Sequence, residues 1–344
     1  MGLSLVTTAI LSLSLVELRW GSYDHCKMNP FHAFAGIQFD RLADRRDDRE
    51  WMAQLDIEKI QVIPVWRGRV LVDSINDLPR MSSINRYSAT VGNQDGLIFL
   101  GEFRDQIFFA IDISDHDDPA VRAPGQFHDL RAVSGLLHRD ELGLLGYARA
   151  LTHWQRTHQF CGKCGARNQI VKAGHVMECS NANCKQQNFP RLDPAVIVLV
   201  NDGDRVLLGR QTQFSPGRYS TIAGFVEWAE SIEEAVMREV REETGVIVNE
   251  AQYHSSQPWP FPSSLMLGFI AQATTTEVTL HDGELEDARW FSRKDIAAGA
   301  LSLPPTLSIS FALIEHWYNQ GSPCALRDEP GARIDTPAQV FKPS

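Results

Sequence analysis

The chain has 344 residues, 43% hydrophobic and 22% charged, with 43 acidic against 33 basic side chains and a formal charge of −10. That length allows two or three domains with a sizeable core, and the composition is that of an ordinary soluble globular protein. The acidic balance argues against a general, sequence-blind nucleic-acid binder, because such binding draws on phosphate neutralisation by Lys and Arg. Recognition of one nucleotide end stays open, and no segment approaches the apolar length needed to cross a membrane.

Residues 1–27 stand apart. Their run MGLSLVTTAILSLSLVELRW is moderately apolar, yet it lacks the basic start and clean small-residue cleavage site of a secretory signal. Met28 opens MNPFHAFAGIQFDRLADRRDD, which reads as an independent beginning. We therefore expect 1–27 to be an extension with little stable structure, or a start-site artefact.

Residues 28–155 read as an N-terminal α+β domain. IEKIQVIPVWRGRVLVD and GLIFLGEFRDQIFFAIDI look like strands turning at Arg67-Gly68 and Arg104-Asp105, and a helix is expected from about Asp140 to Thr157. No reactive constellation falls here; His153 and His158 flank the next segment and read as structural.

That segment, 156–190, holds Cys161-Gly-Lys-Cys164, fourteen residues, Cys179, four residues and Cys184. Two short cysteine pairs a hairpin apart match a ribbon in which four thiolates close a tetrahedron around one structural Zn²⁺, and a closed site of this kind serves folding. Disulfides are the alternative, disfavoured by the knuckle-like Cys-Gly-x-Cys-Gly. Residues 156–192 also carry six Lys/Arg (Arg156, Lys163, Arg167, Lys172, Lys185, Arg191) against Glu178 alone. These charges fit either an offset of the doubly negative zinc centre or a role with RNA.

Residues 191–320 form the next unit. Ala195–Val200 and Arg205–Leu208 read as strands around Asn201-Asp202-Gly203. Further strands are expected near 265–274 and 288–291 and a last helix over about 308–318. The tail, 321–344, is rich in Pro, Asp and Gly and is expected to be mobile. No internal repeat is visible in the sequence.

The most informative stretch is 224–246: Gly224, five residues, Glu230, seven residues, then Arg238-Glu239-Val240-x-Glu242-Glu243-x-Gly245-Val246. Chance gives that pattern on the order of once per billion start positions. Ser231-x-x-Glu234 is a capping box, so a helix should begin near Ile232, and Gly245 stops it. At helical spacing Glu239, Glu242 and Glu243 share one arc with Ile232, Ala235 and Val236, which points the carboxylates inward. Such a cluster is costly unless cations neutralise it, and hard divalent ions, Mg²⁺ or Mn²⁺, suit oxygen ligands. The alternative is a solvated acidic helix with pairs such as Arg238 with Glu242.

The pattern resembles the Nudix box. Downstream, Ser256-Gln-Pro-Trp-Pro-Phe-Pro-Ser-Ser264 reads as a stiff wall presenting Trp259 and Phe261 to flat heterocycles. It is similar to the SQPWPFPxS array of the NADH pyrophosphatase subfamily of Nudix hydrolases, which also removes NAD caps from RNA and carries a zinc ribbon just upstream. The resemblance covers about 28–320 and implies an N-terminal α+β domain, a Cys₄ ribbon, and a C-terminal α/β/α sandwich with a mixed sheet. It implies that Glu239, Glu242, Glu243 and Glu284 hold the catalytic metals, that Glu230 supports them, and that Arg238 positions the carboxylates. Phe225 and Phe189 would face the nicotinamide, with Tyr the commoner residue in the family at the second place. Gln257, Trp259 and Phe261 would bind substrate, and Ser310 would lie near the adenine. The implied reaction is metal-dependent hydrolysis of NADH or NAD⁺ to nicotinamide mononucleotide and AMP, and decapping of NAD-capped RNA. Alternatives are an ADP-ribose or dinucleoside-polyphosphate hydrolase, or a zinc-ribbon RNA-binding protein. The resemblance further implies a homodimer; the terminal Lys342-Pro343-Ser344 does not match a peroxisomal address, and a cytoplasmic protein is expected.

Overall fold

The computed structural model describes residues 32–75, 78–85, 96–119, 121, 123–281 and 283–335; the expected extension, 1–27, lies outside them. After a short helix α1 (Arg49–Ala53), a seven-stranded sheet is built from β1 (Ile60–Trp66), β2 (Arg69–Ile75), β3 (Leu78–Met81), β4 (Ile84–Asn85), β5 (Ile98–Phe103), β6 (Gln106–Asp112) and β7 (Gln126–His128). Its order is β3-β2-β1-β6-β5, with β4 beside β1, β7 beside β2, and β1–β6 the parallel pair. Both expected hairpin turns form: Arg67 and Gly68 take φ of 50° and 75°, Arg104 and Asp105 φ of 52° and 60°, the two consecutive left-handed residues of a type I′ turn. Two helices follow, α2 (Leu130–Val133) and the long α3 (Arg139–Thr157), whose Leu142, Leu144, Leu145, Ala148 and Leu151 bury against one face of the sheet.

The cysteine-rich segment is a small antiparallel sheet of β8 (Asn168–Val171), β9 (Val176–Cys179) and β10 (Gln187–Asn188). His175, just before β9, fastens it to the first domain: its Nε2 meets the Phe99 carbonyl at 2.7 Å, and burial lowers its pKa to about 4.

A six-stranded sheet follows, made of β11 (Asp193–Asn201), β12 (Arg205–Arg210), β13 (Ile222–Phe225), β14 (Val248–Trp259), β15 (Ser264–Ala273) and β16 (Asp287–Ser292), in the order β14-β15-β11-β12-β16 with β13 on β11. Between β13 and β14 runs α4 (Ile232–Thr244); after β16 come α5 (Arg293–Ala297), β17 (Ser302–Leu303) and α6 (Ile309–Gly321). Helix α4 covers one face through Ala235, Val236 and Val240, and α6 covers the other through Phe311, Leu313 and Ile314. The result is the expected α/β/α sandwich with a mixed sheet. The strand β14 was not expected as such; Pro258 near its end suits an edge strand, where a missing N–H leaves no ladder partner wanting.

The two large sheets are connected alike, although no sequence repeat announces it. In each, one central strand (β1, β11) receives a hairpin partner at its C-terminal end (β2, β12) and a second antiparallel strand at its N-terminal end (β4, β13). Its opposite edge takes a parallel neighbour (β6, β15) that itself pairs with the preceding strand (β5, β14). Strands β7 and β16 flank β2 and β12, and α3 and α6 close the corresponding faces.

The tail corrects one expectation. Residues 321–335 are not a loose end: Leu326 is fully buried, Tyr318 OH donates to Glu329 at 2.8 Å, and β18 (Arg333–Ile334) pairs in parallel with β17. The Pro and Gly content there shapes a return path across α6. No helix among the described residues is long and apolar enough to cross a membrane.

Candidate active site

Helix α4 begins where the capping box places it. Ser231 Oγ accepts from Glu234 N at 3.2 Å and the Glu234 carboxylate accepts from Ser231 N at 2.7 Å, satisfying two otherwise orphaned N–H groups. Gly245 closes the helix at φ 71°. Of the three carboxylates on the arc, Glu239 (9% exposed) and Glu243 (2% exposed) point inward. Glu242 does not: 55% of its side chain is exposed, and Ile232 also lies at the surface. The inward set is thus two glutamates with a third at the rim, because the apolar stripe that docks the helix is narrower than the carboxylate arc.

Gly224 explains why the motif opens on glycine. A Cβ built there would lie 2.0 Å from the Glu239 carboxylate, so only a residue without a side chain lets that carboxylate lie across β13. Arg238 binds the rest together. Its Nε and Nη2 donate to Glu230 at 2.9 and 2.7 Å, its Nη1 to Glu239 at 2.9 Å and Glu242 at 3.0 Å, and its Nη2 also to the Phe225 carbonyl at 2.9 Å. The pair singled out as the mark of a solvated acidic helix, Arg238 with Glu242, therefore exists, but as one arm of a network that reaches two buried or half-buried carboxylates. Glu230 accepts from Glu227 N as well, at 2.7 Å, so it acts as a bracket for Arg238.

The electrostatics follow from this geometry. The Arg238 guanidinium holds Glu230 below the usual glutamate range, and Glu230 leads the carboxylates that raise Arg238. Glu239 moves the other way: burial raises it, and the nearby Glu242 and Glu284 add to the rise against the pull of Arg238. Glu284, exposed in the loop before β16, thus belongs to the same charge field. Arg238 faces Glu230, Glu239 and Glu242 together, and hard oxygen donors gathered in this way fit a divalent cation. Among the described residues only the four cysteines already gather their ligand atoms within 4.8 Å of one another; the glutamates form a bracketed charge cluster instead of a closed cage.

The ribbon fits zinc on its own geometry. Cys161 Sγ lies 3.8 Å from Cys184 Sγ, and Cys164 Sγ lies 3.4 Å from Cys179 Sγ. A tetrahedron with Zn–S bonds of about 2.3 Å has S···S edges of about 3.8 Å, whereas a disulfide needs about 2.05 Å. The backbone N–H of Lys163 brings the Cys161 thiol down to about 7, while burial pushes Cys179 up to about 12, a thiol that a metal must deprotonate. The basic residues around it are largely spoken for: Arg156 pairs with Asp112 and Asp115, Lys172 with Asp47, Lys185 with Glu178, and Arg191 with Asp193.

Phe225 and Phe189 are 59% and 63% exposed, and the Arg238 bond to the Phe225 carbonyl ties that residue's backbone to the carboxylate network. The remaining residues expected from sequence to contact substrate lie in packed surroundings in the single chain. Gln257 is 1% exposed: its Nε2 donates to the carbonyls of Ala33 (3.3 Å) and Leu307 (2.8 Å), and its Oε1 accepts from Ile309 N at 2.9 Å. Ser310 is 2% exposed, its Oγ shared among Ser220 Oγ, Thr221 Oγ1 and Thr221 N. Both are held in place by these hydrogen bonds. Trp259 and Phe261 do not stand as a free wall either; they pack edge-to-face on Phe34, and Arg131 and Arg149 lie 4.3 and 4.6 Å from the Phe261 ring centre. Asp193, which the sequence did not single out, ties the end of that array to β11 by accepting from Ser263 Oγ at 2.7 Å. The partners are 70 positions apart, so nothing local signals the contact.

Comparison with known proteins agrees with this architecture. Residues 191–308 match the NUDIX domain, 60–154 the NADH pyrophosphatase-like rudimentary NUDIX domain, and 156–188 the NADH pyrophosphatase zinc ribbon domain. The chain belongs to the Nudix hydrolase family, in the branch that combines these three units. Among its relatives, NAD-capped RNA hydrolase NudC of Pseudomonas aeruginosa is 46% identical over 217 residues, covering 62% of this chain and 75% of the relative. Nudix hydrolase 19, chloroplastic, of Arabidopsis thaliana is 42% identical over 223 residues, 59% of this chain and 50% of the relative. NAD-capped RNA hydrolase NUDT12 of Homo sapiens is 41% identical over 196 residues, 53% of this chain and 42% of the relative. The matched part is thus half or less of the plant and human proteins.

Proposed function

We propose that this chain hydrolyses the central diphosphate of NADH or NAD⁺, releasing nicotinamide mononucleotide and AMP, and removes the same cap from NAD-capped RNA to leave a 5′-monophosphate end. The observation that carries the reading is the cluster of Glu230, Glu239 and Glu242 bracketed by Arg238, with Gly224 making room for Glu239, in a chain 46% identical over 217 residues to a protein named for decapping.

Glu239, Glu242, Glu243 and Glu284 would hold Mg²⁺ or Mn²⁺. Bound there, such ions would supply charge neutralisation for the diphosphate and activation of the hydrolytic water. The chain's own part is positioning. Arg238 and Glu230 keep the rim carboxylates from splaying, Gly224 leaves room for Glu239, and Phe225 with Phe189 presents exposed rings for the nicotinamide. A homodimer and action in the cytoplasm are part of the same proposal. The basic excess that would favour an RNA-binding module without catalysis is largely spent on ion pairs.

The test is product analysis with NADH, ADP-ribose and NAD-capped RNA side by side, in Mg²⁺ and in Mn²⁺, with a chelator control. Release of nicotinamide mononucleotide only with metal is expected. Binding of capped RNA without that release overturns the reading, and preference for ADP-ribose redirects it.

A further inference from the structure

Residues 32–36 cross β14, the edge strand of the second sheet, as a strap. His32 Nε2 lies 2.7 Å from Ser255 Oγ, and the Ala33 carbonyl accepts from Gln257 at 3.3 Å. Phe34 packs edge-to-face on Trp259 and Phe261, with ring centres 6.0 and 5.6 Å apart. Beyond it, Arg139 of α3 donates to the Ala35 carbonyl at 3.1 Å, so the strap laces the first domain to the Nudix sheet. Phe34 holds φ at 68°, a left-handed conformation that persists in such a residue only where its surroundings impose it. The strap therefore has somewhere to relax to when its contacts go.

Its first residue is held by histidine chemistry. Ser255, 9% exposed, is met from β14 by His254 Nδ1 at 2.8 Å, and His316 of α6 lies edge-to-face on His254 with ring centres 4.8 Å apart. His32 is 4% exposed, and its Nδ1 has no partner. One hydroxyl can donate to one neutral imidazole while accepting from another; two protonated rings would press two donors and two positive charges upon it. Among the described residues no carboxylate is placed to answer them. The charge acting on His32 is Arg139. On β14, Tyr253 turns to Phe269 and Glu250 lies four residues back; β15 carries no titratable side chain; α6 brings Glu315, engaged by Arg327 at 2.6 Å, beside His316. Burial lowers the pKa of both rings, that of His32 with help from Arg139 and that of His254 to about 4 with help from His316 and His32.

We propose that His32, Ser255 and His254 form an acid-released latch: when the two rings take up protons, residues 32–36 leave β14 and uncover Trp259 and Phe261. In the released strap both rings return to water and to the ordinary histidine value near 6.5. The latch is complete above that pH and weakens as the pH falls toward the folded-state values. Each ring favours release by up to about tenfold per pH unit, and the pair by up to about a hundredfold. The device is independent of which substrate the chain cleaves.

The test is hydroxyl-radical footprinting of the zinc-loaded full chain between about pH 7.5 and 5, read at Phe34, Trp259 and Phe261. Trp228, fully exposed, reports the radical dose, and Phe311, fully buried, reports global unfolding. Labelling of the three strap rings should rise about threefold or more on acidification while Phe311 stays unlabelled. His254→Gln and His32→Gln, which can still bond Ser255 but cannot take up a proton, should each flatten that rise. Labelling that does not change with pH in the wild type, a rise both variants share, or a rise that Phe311 joins overturns the latch. Should neither variant fold, ring titrations of the wild type by NMR decide: His32 and His254 must charge in step with the labelling of Phe34, and rings that charge without it overturn the proposal.

Discussion

The two mixed sheets share their connections but not their chemistry. In the second, 22 residues separate β13 from β14 and include α4; in the first, 12 residues separate β4 from β5. That shorter segment reads RYSATVGNQDGL and contains no glutamate. The strands around both insertions pair in the same pattern, so the sheet alone confers no carboxylate site. What differs is one inserted segment that begins with a capping box, docks on Ala235, Val236 and Val240, and carries its acids on the remaining surface. A shared framework tolerates either version because each sheet is already closed on its other face by its own long helix, α3 or α6.

The largest effect on that division of labour is expected at the ribbon between the sheets. Stripping zinc, by chelation or by Cys179→Ser, should unfold the ribbon, since about 10 kcal/mol or more of apparent metal-binding energy is folding energy in such sites. Metal analysis should give one zinc per chain, and a ribbon whose amides stay protected from hydrogen exchange without metal would contradict the assignment. Next, Glu243→Gln should lower turnover by a factor of order 10² or more with substrate affinity little changed. Near-normal turnover would mean the first domain contributes chemistry after all. Gly224→Ala should cost about tenfold in kcat by displacing the buried Glu239 carboxylate, while the melting temperature moves little. An equal loss in stability and rate would demote Gly224 to a packing role.

The smallest effect concerns the joint between ribbon and first sheet. The unfolded chain protonates His175 near pH 6.5, whereas the folded chain holds it neutral down to about 4. Its contribution to stability is therefore complete above pH 6.5 and declines by about 1.4 kcal/mol per pH unit as the pH falls toward 4. Denaturant titrations of His175→Gln should show a shallower decline over that window; an identical slope would place the responsible protons elsewhere.

The carboxylate helix was legible in the sequence because its geometry is covalent: residues three and four apart on one helix have little choice about where they stand. The ribbon was legible for a similar reason, its ligands lying on two tight knuckles. The hairpin turns at Arg67-Gly68 and Arg104-Asp105 were equally local. What escaped depends on partners far along the chain. The SQPWPFP array reads as a free aromatic wall until Phe34, Arg131 and Arg149 arrive to cover it. Gln257 and Ser310 are polar residues in suggestive places, yet Ala33, Leu307 and Thr221 consume their hydrogen bonds. The tail looks loose until Leu326 finds its pocket, and the kinship of the two sheets resides in pairings that no single segment records.

Arg238 carries a final consequence. Because it already bonds Glu239 and Glu242 and is itself bracketed by Glu230, the start of that carboxylate array is organised by the polypeptide itself. Zinc and the catalytic cations therefore stand in opposite relations to the polypeptide: one is a condition of its shape, the others are passing guests. Want of a divalent cation would leave the molecule folded and idle, ready to resume on resupply, whereas want of zinc would unfold the ribbon that joins its two sheets.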